Sequence, residues 1–589
     1  MRRKIFHKRL VSTILCLLFS NSNVFALNAA TDLINHTSGV NPTTVGNITN
    51  ITTTHAIDTY HWSSFNLPAN QTANFIFNAN GQTALNYLSP GANPSTIYGA
   101  IMSSGAAGNI LLFNPNGIMM GTGASVSGAN TFFASTNKFD GIVNGKVTFS
   151  EADTNHLLTV GNITLNNVNN AHFVAPNVQF NANNITTANS VSVRAIGGGE
   201  YDVDTNIFSN ETGVKAPIAD TNMLDVKAGI ASNKITIEAK ADSDSYVTAM
   251  VSGEIHANKA VTTENGEVYI VASNDKTSST AGAEIIQNAI ITGDSATVNL
   301  NAGRVCLNGD IDVSGSNGGN VNIETKALDQ NSDIKAVGNN GQGGNVDIWA
   351  TRYVAVKNAE IDVSGKTKGG NINAAGDYQI LSSGTYKATS TDGLGGTIKI
   401  SSPLTKLFAV DVDASGYTGG GNIFLGGAGT TGEPVQSSLF NIFSDASVAK
   451  ANCTGPSGKG GKVYIDSDNT AYVFGNIQAK GDGSAGTGGS VEISGRQTLG
   501  FNATVDTGGG TLFIDPKNII ISDSKIGGIS YNALLQDGST YLTSGTLNLV
   551  NADTFGSSVA LYNNLLVIGA KGDSTGGTGR GAAYLFSFT

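Results

Sequence analysis

Residues 310–323 read DIDVSGSNGGNVNI, and the pattern returns as DIKAVGNNGQGGNVDIWA at 333–350 and EIDVSGKTKGGNINA at 360–374. Each copy is a short β segment, a Gly-rich turn and a second β segment. Further along, the unit recurs as YKATSTDGLGGTIKI, VDASGYTGGGNIFL, VAKANCTGPSGKGGKVYI, IQAKGDGSAGTGGSVEI and DTGGGTLFI. The last Gly of successive turns, at Gly319, Gly344, Gly370, Gly396 and Gly421, recurs every 25 or 26 residues before wider gaps to Gly461 and Gly489. Such a period holds one coil of a parallel β-helix, with strands of roughly five residues joined by turns. Equivalent strands then stack about 4.8 Å apart, inward Val and Ile form columns, and backbone hydrogen bonds run from coil to coil. The Gly pair at each corner is expected to supply positive φ and close backbone approach. Asn320, Asn345, Asn371 and Asn422, which follow the pair, are expected to form an amide ladder. A series of β-sandwich domains is the alternative, and it calls for Asn-Gly hairpins and a less regular period.

Composition agrees with an all-β chain. Of 589 residues, 74 are Gly, 11 are Pro, 13% are charged and 40% are hydrophobic, which excludes both collagen and a charged disordered chain. Upstream of the repeats, stretches such as NITNITTTHAI, TANFIFNANG, GNILLFNPNGIMM and HLLTVGNITLNNV also read as short β segments, and helical periodicity is not visible. At the N-terminus, MRRKIFHKR precedes LVSTILCLLF and the small residues Val24 and Ala26, which reads as a secretory signal peptide over 1–26. Its apolar run is too short to span a membrane, which takes about 20 residues. Without that leader, 28 Lys and Arg face 44 Asp and Glu, a net charge of about −16. Nucleic acid is therefore not an expected partner. Cys16 leaves with the leader, and Cys306 and Cys453 remain as a pair that an oxidising compartment leaves open to bridging.

The stretch from Phe75 to Phe139 resembles the haemagglutination-activity domain of the two-partner secretion family, the filamentous-haemagglutinin-like exoproteins. The matching positions are Asn78, Leu85, Asn86, the Asn93-Pro94-Ser95 turn, Ile97, Gly99, the NPNGI motif from Asn114 through Pro115, Asn116 and Gly117 to Ile118, then Gly121 and Ala134-Ser135. The similarity continues more weakly to about residue 300, and the NPNL motif of many members is absent. The resemblance implies a right-handed parallel β-helix whose N-terminal module is recognised in the periplasm by a dedicated outer-membrane barrel transporter, which passes the unfolded chain to the exterior of a Gram-negative cell. It also implies an adhesin, with a receptor or glycan on a host or neighbouring cell as partner. Locally, Asn114–Gly117 reads as a tight turn after the strand ILLF, so the motif is open to a purely structural role as well as to a role in secretion. From Asp553 the chain resembles one FG-GAP repeat, matching at Phe555-Gly556, Ser558-Val559-Ala560, Ile568-Gly569-Ala570 and Gly581-Ala582 to Phe586, which implies a segment like one propeller blade. The expected organisation is a leader at 1–26, a secretion β-helix at 27–300, a Gly-rich repeat β-helix at 301–520, a connector at 521–552 and this repeat at 553–589.

Candidate catalytic groups are sparse, and no enzyme is expected. Gly572–Gly576 matches G-x-S-x-G, but no strand-turn-helix context surrounds it and every His precedes it. GPSGKGGK at 455–462 lacks the Ser or Thr and the helix of a phosphate loop, and reads as a coil corner. Strand alternation places His55 and His61 on one face beside Asp58, a pattern open to a divalent metal or to surface packing. Asp310, Asp312, Asp333, Asp347 and Asp362 recur near corresponding coil positions and are expected to stack into an acidic stripe. Stacked like charges need solvation or a cation, so weak calcium binding is the one cofactor expectation. A β-helix polysaccharide lyase is the alternative function, and it requires carboxylates and a basic residue converging in a groove.

Overall fold

The computed structural model describes residues 26–152, 156–215, 224–242, 247–257, 265–274, 283–429, 431, 433–484 and 486–515, and strands at 519–521, 555–562, 565–570 and 582–587. Residues 1–25 of the leader and most of the connector lie outside the described residues. The chain divides into two units, residues 1–293 with 298–305 and residues 294–297 with 306–589. Both are built from parallel strands paired coil to coil, the expected parallel β-helix.

In the second unit the coils begin as one long and one short strand, as in Asn345–Val356 and Glu360–Asp362, and then carry three short strands, for example Asn371–Gly376, Gln379–Ser382 and Thr385–Lys387. Register pairing makes the inward columns explicit. Val346, Ile372, Ile398, Ile423, Val463 and Val491 stack on one side. Ile334, Ile361, Tyr386, Val412, Ala449 and Ile477 stack on another. All of these side chains are buried, and each large aliphatic one stabilises the coil stack by roughly 1.5–3 kcal/mol relative to exposure.

The Gly-Gly corners work by contact rather than by unusual dihedral angles. A Cβ on Gly344 would lie 2.0 Å from the Gly319 carbonyl oxygen, and one on Gly370 would lie 2.0 Å from that of Gly344. The positive φ expected at these corners is not found, since neither Gly344 nor Gly370 is among the left-handed glycines. What the column requires is the absence of a side chain where successive backbones touch. The amide ladder forms over three coils: Asn345 Nδ2 donates to Asn320 Oδ1 at 2.9 Å, and Asn371 Nδ2 donates to Asn345 Oδ1 at 2.8 Å. Thr397 then takes the position above Asn371, so Asn422 stands one coil beyond the ladder. The wide gap between Gly421 and Gly461 is filled by a loop that leaves the coil at Gly426 and closes where Ser438 N donates to the Gly426 carbonyl.

In the first unit, coils run through Ile57–Trp62, Thr83–Leu88, Asn109–Phe113, Thr131–Ser135, Asn170–Ala175 and Ser190–Ala195, paired in parallel. Two features depart from plain coils. Near the start, Leu33–His36 pairs antiparallel with Ile57–Trp62, and Thr43–Val45 pairs antiparallel with Ile48–Thr53. Further on, Lys138–Val143, Lys146–Ser150, Gly198–Asp202 and Ile207–Thr212 form a four-stranded antiparallel sheet. The strands Phe555–Tyr562, Leu565–Ala570 and Ala582–Ser587 form a three-stranded antiparallel meander.

Candidate secretion module

The NPNGI motif follows the strand Asn109–Phe113, and all of Asn114 to Ile118 is buried. Asn114 O accepts from Gly117 N at 3.1 Å, closing a tight turn in which Gly117 adopts a φ of 117°. The two Asn side chains tie that turn to the coil before it. Asn114 Nδ2 donates to Asn93 O at 3.0 Å and to Ser95 Oγ at 2.9 Å, while its Oδ1 accepts from Asn116 N and Nδ2. Asn116 Nδ2 also donates to Ser89 O at 2.9 Å, and its Oδ1 accepts from Gly91 N at 2.7 Å. Both amides are thus saturated in a site where an unmet polar group costs roughly 1–3 kcal/mol. The motif and the Asn93-Pro94-Ser95 turn, matched separately in the sequence, are one interlocked corner. Gly99 belongs to the same region: a Cβ there would lie 2.3 Å from Gln71 O and 2.4 Å from Pro68 O.

The strands that carry the module are buried on both faces. Inward, Asn86 Oδ1 accepts from Trp62 Nε1 at 3.0 Å. Outward, Leu85, Leu111, Phe113, Phe133 and Val174 meet Val147, Phe149, Tyr201 and Val203 of the antiparallel sheet in one apolar cluster. Coil alternation did not anticipate this sheet. The signal for it lies in ILLF at 110–113 and FF at 132–133, because uninterrupted apolar runs mark strands covered on both sides.

Beneath that sheet lies a polar network. His172 Nδ1 meets Ser192 Oγ and its Nε2 meets Asn206 Oδ1, each at 2.6 Å, and Tyr201 Oη donates to the same Asn206 Oδ1 at 2.9 Å. Burial drives the His172 pKa down to about 3, with the nearby Arg194 charge adding to the effect, so the ring is neutral. Arg194 bridges Glu211 at 2.5 Å and Glu238, and its guanidinium lies 4.4 Å from the centre of the Phe208 ring. Burial pushes Glu238 up to about 7 against the opposing pull of Arg194. These groups fasten the antiparallel sheet to the coils.

The other candidate residues do not converge. Asp58 is buried and accepts from Thr54 N at 2.7 Å, with His55 Nδ1 2.8 Å from its Oδ1. His61 points to the other face of the strand, stacked on Tyr87 with ring centres 4.6 Å apart and 3.0 Å from Ser89 Oγ. The expected His55–His61 face is therefore replaced by a local His–Asp pair and a separate packed ring. The acidic stripe is also corrected. Asp312 stands in register with Lys335, Lys335 with Asp362, Asp362 with Lys387, Lys387 with Asp413 and Asp413 with Lys450. Opposite charges alternate up this column, while Asp347 lies in another, between Asn322 and Asn373. Asp310 and Asp333 cap turns, with Asp333 N donating to Asp310 Oδ1 at 3.1 Å and Glu360 N to Asp333 Oδ1 at 2.9 Å. Among the described residues no three His, Cys, Asp or Glu side chains gather as a metal site.

Cys306 and Cys453 are not joined, so the bridge left open by the sequence does not form. GPSGKGGK is a coil corner in which Lys459 pairs with Gly419 of the coil before it. Gly572–Gly576 lies outside the described residues.

The TPS secretion domain family matches residues 29–286, and the FG-GAP repeat family matches residues 550–586. No curated protein shows a significant match to the chain. Similar solved structures include the HMW1 secretion domain from Haemophilus influenzae, at 19% identity over 82% of this chain and 99% of that one, with a TM-score of 0.25. Another is a filamentous hemagglutinin secretion domain, at 14% identity over 54% of this chain and 100% of that one, with a TM-score of 0.34. The family match spans the interlocked NPNGI corner, the doubly covered coils and the antiparallel sheet, and it identifies residues 29–286 as a TPS secretion domain, the module of two-partner secretion exoproteins.

Proposed function

We propose that the chain is a non-enzymatic adhesin, exported through an outer-membrane barrel with periplasmic recognition domains and displayed outside a Gram-negative cell. The observation that carries this reading is the secretion-domain match over 29–286 on coils that stack without any disulfide among the described residues. Folding coil upon coil suits a chain that emerges from one end, because each coil needs only its predecessor as a template. Asn114 to Ile118 serve secretion in this reading. Their burial in the folded module means that the barrel's periplasmic domains meet them in the unfolded chain, and that the same residues close the first coils once outside.

Export is tested by deleting residues 75–140 in cells that make the barrel partner. The truncated protein is expected in the periplasm, and unchanged release to the medium overturns the secretion role. Adhesion is tested by coating beads with the mature protein and counting bound cells with and without calcium. Binding no greater than to beads coated with an unrelated protein overturns the adhesin.

A further inference from the structure

The outer face of one sheet in the second unit carries a pocket of about 320 Å³ lined by Asp329, Arg352, Tyr353, Tyr378, Gln379 and Leu381 among others. Three successive coils build it in register: Tyr353 pairs with Gln379, and Ala355 pairs with Leu381. Tyr378 is 60% exposed, a large aromatic surface that packing within the coil does not require. Tyr353 Oη donates to Asp329 Oδ2 at 3.0 Å, and Lys357 Nζ lies 3.2 Å from Asp329 Oδ1, so the carboxylate is fixed in place. Beyond the pocket the apolar floor continues, because Leu381 packs against the cluster of Phe408, Ile442 and Tyr472.

We propose that this face binds the pyranose units of a neutral glycan. A pyranose ring has an apolar face edged by hydroxyls, and it needs what this pocket offers: aromatic rings beside hydrogen-bond donors and a fixed acceptor. Tyr353 and Tyr378 supply the rings, Arg352 the donor, Asp329 the acceptor and Gln379 both. The lining carries one charge of each sign, Asp329 and Arg352, so it holds no net charge for an acidic sugar to pair with. A repeating ligand also suits a surface that repeats about every 4.8 Å from coil to coil. The inference rests on the adhesin reading for its biological setting and names the ligand class.

The test uses the folded mature protein on sensor surfaces coated with glucan, mannan or galactan, with polyuronate for comparison. At least one neutral polymer is expected to bind. Tyr378→Ala and Arg352→Ala should each weaken that binding tenfold or more with unchanged melting temperature, while Tyr417→Ala, at another exposed aromatic position, should bind as the parent does. Binding to polyuronate alone, binding to none of the polymers, or full binding by Tyr378→Ala overturns the proposal. Cell adhesion separates the two readings. Parent protein that adheres to cells but binds none of the polymers leaves the adhesin standing and removes the glycan site, whereas glycan binding without any cell adhesion does the reverse.

Discussion

Asn116 donates its side-chain amide to Asn114 Oδ1 at 2.7 Å, and through this bond the NPNG turn holds the Ser89–Ser95 turn of the coil before it. Asn114→Ala removes the acceptor for two donors of Asn116 and the donor for Asn93 O and Ser95 Oγ. With each buried orphan costing roughly 1–3 kcal/mol, the secretion module should unfold at clearly lower urea concentration than the parent. An unchanged midpoint would mean that the corner relaxes without loss and that its residues are held for another reason.

His172 and Glu238 tilt the stability of the first unit in opposite directions. His172 is neutral when folded, with its pKa near 3, so below about pH 6.5 only the unfolded chain takes up its proton and stability falls as pH drops toward 3. Glu238 keeps its proton to about 7 when folded, so stability falls as pH rises from the usual carboxylate range to neutrality. Each contributes a slope of about 1.4 kcal/mol per pH unit per proton, and between pH 5 and 6.5 the two largely cancel. Urea titrations over that range should show stability declining with pH in His172→Gln and rising with pH in Glu238→Gln. Two variants with the same slope as the parent would rule this pairing out.

The coil architecture was legible because contact between successive backbones leaves a mark at every turn: Gly319, Gly344, Gly370, Gly396 and Gly421 repeat where no Cβ fits. The NPNGI corner was legible as a turn, and its partner turn was visible at Asn93-Pro94-Ser95, but nothing in the sequence said that the two interlock. The antiparallel sheet escaped because Lys146–Ser150 alternates like any coil strand, and its partner Gly198–Asp202 is remote in sequence. Charges were misplaced for a related reason. Two periods separate Asp312 from Asp362, which reads as one acidic stripe, whereas the ladder sets Lys335 between them; Asp347 falls on a different strand of its coil.

Gly344→Ala tests the corner column. The added methyl would lie 2.0 Å from Gly319 O, a backbone atom that cannot turn aside as a side chain can. Overpacking of this kind costs roughly 1–3 kcal/mol or more. Gly39→Ala is the control, since its Cβ would meet only Thr54 Oγ1 at 3.5 Å. The first variant should melt well below the parent and the second close to it; equal melting temperatures would show that the corners flex enough to admit a side chain.

Cys453 occupies a corner column shared with Gly338, Gly365, Ser390 and Gly416. Its Sγ donates to Tyr417 O at 3.3 Å, just as Ser390 Oγ donates to Lys366 O at 2.9 Å two coils earlier. Serine already performs this role in the column, so Cys453→Ser should leave the melting temperature within about 1 kcal/mol of parental stability, the range of near-isosteric exchanges. Thiol titration of the unfolded mature protein should find both Cys306 and Cys453 reactive without reductant. A missing thiol would contradict the absence of a bridge between them.

Lys387 faces Asp362 on one side and Asp413 on the other, and its ammonium also contacts Glu360. An exposed pair of this type contributes about 0–1 kcal/mol, so Lys387→Ala should cost little. Lys387→Glu differs, because it places like charges directly opposite one another on adjacent strands, which is destabilising. Its melting temperature should fall below that of Lys387→Ala at low salt. Most of the gap should close at 1 M salt, where charges are screened over about 3 Å. A gap that ignores salt would mean that the alternating column is held by side-chain packing, with charge incidental to it.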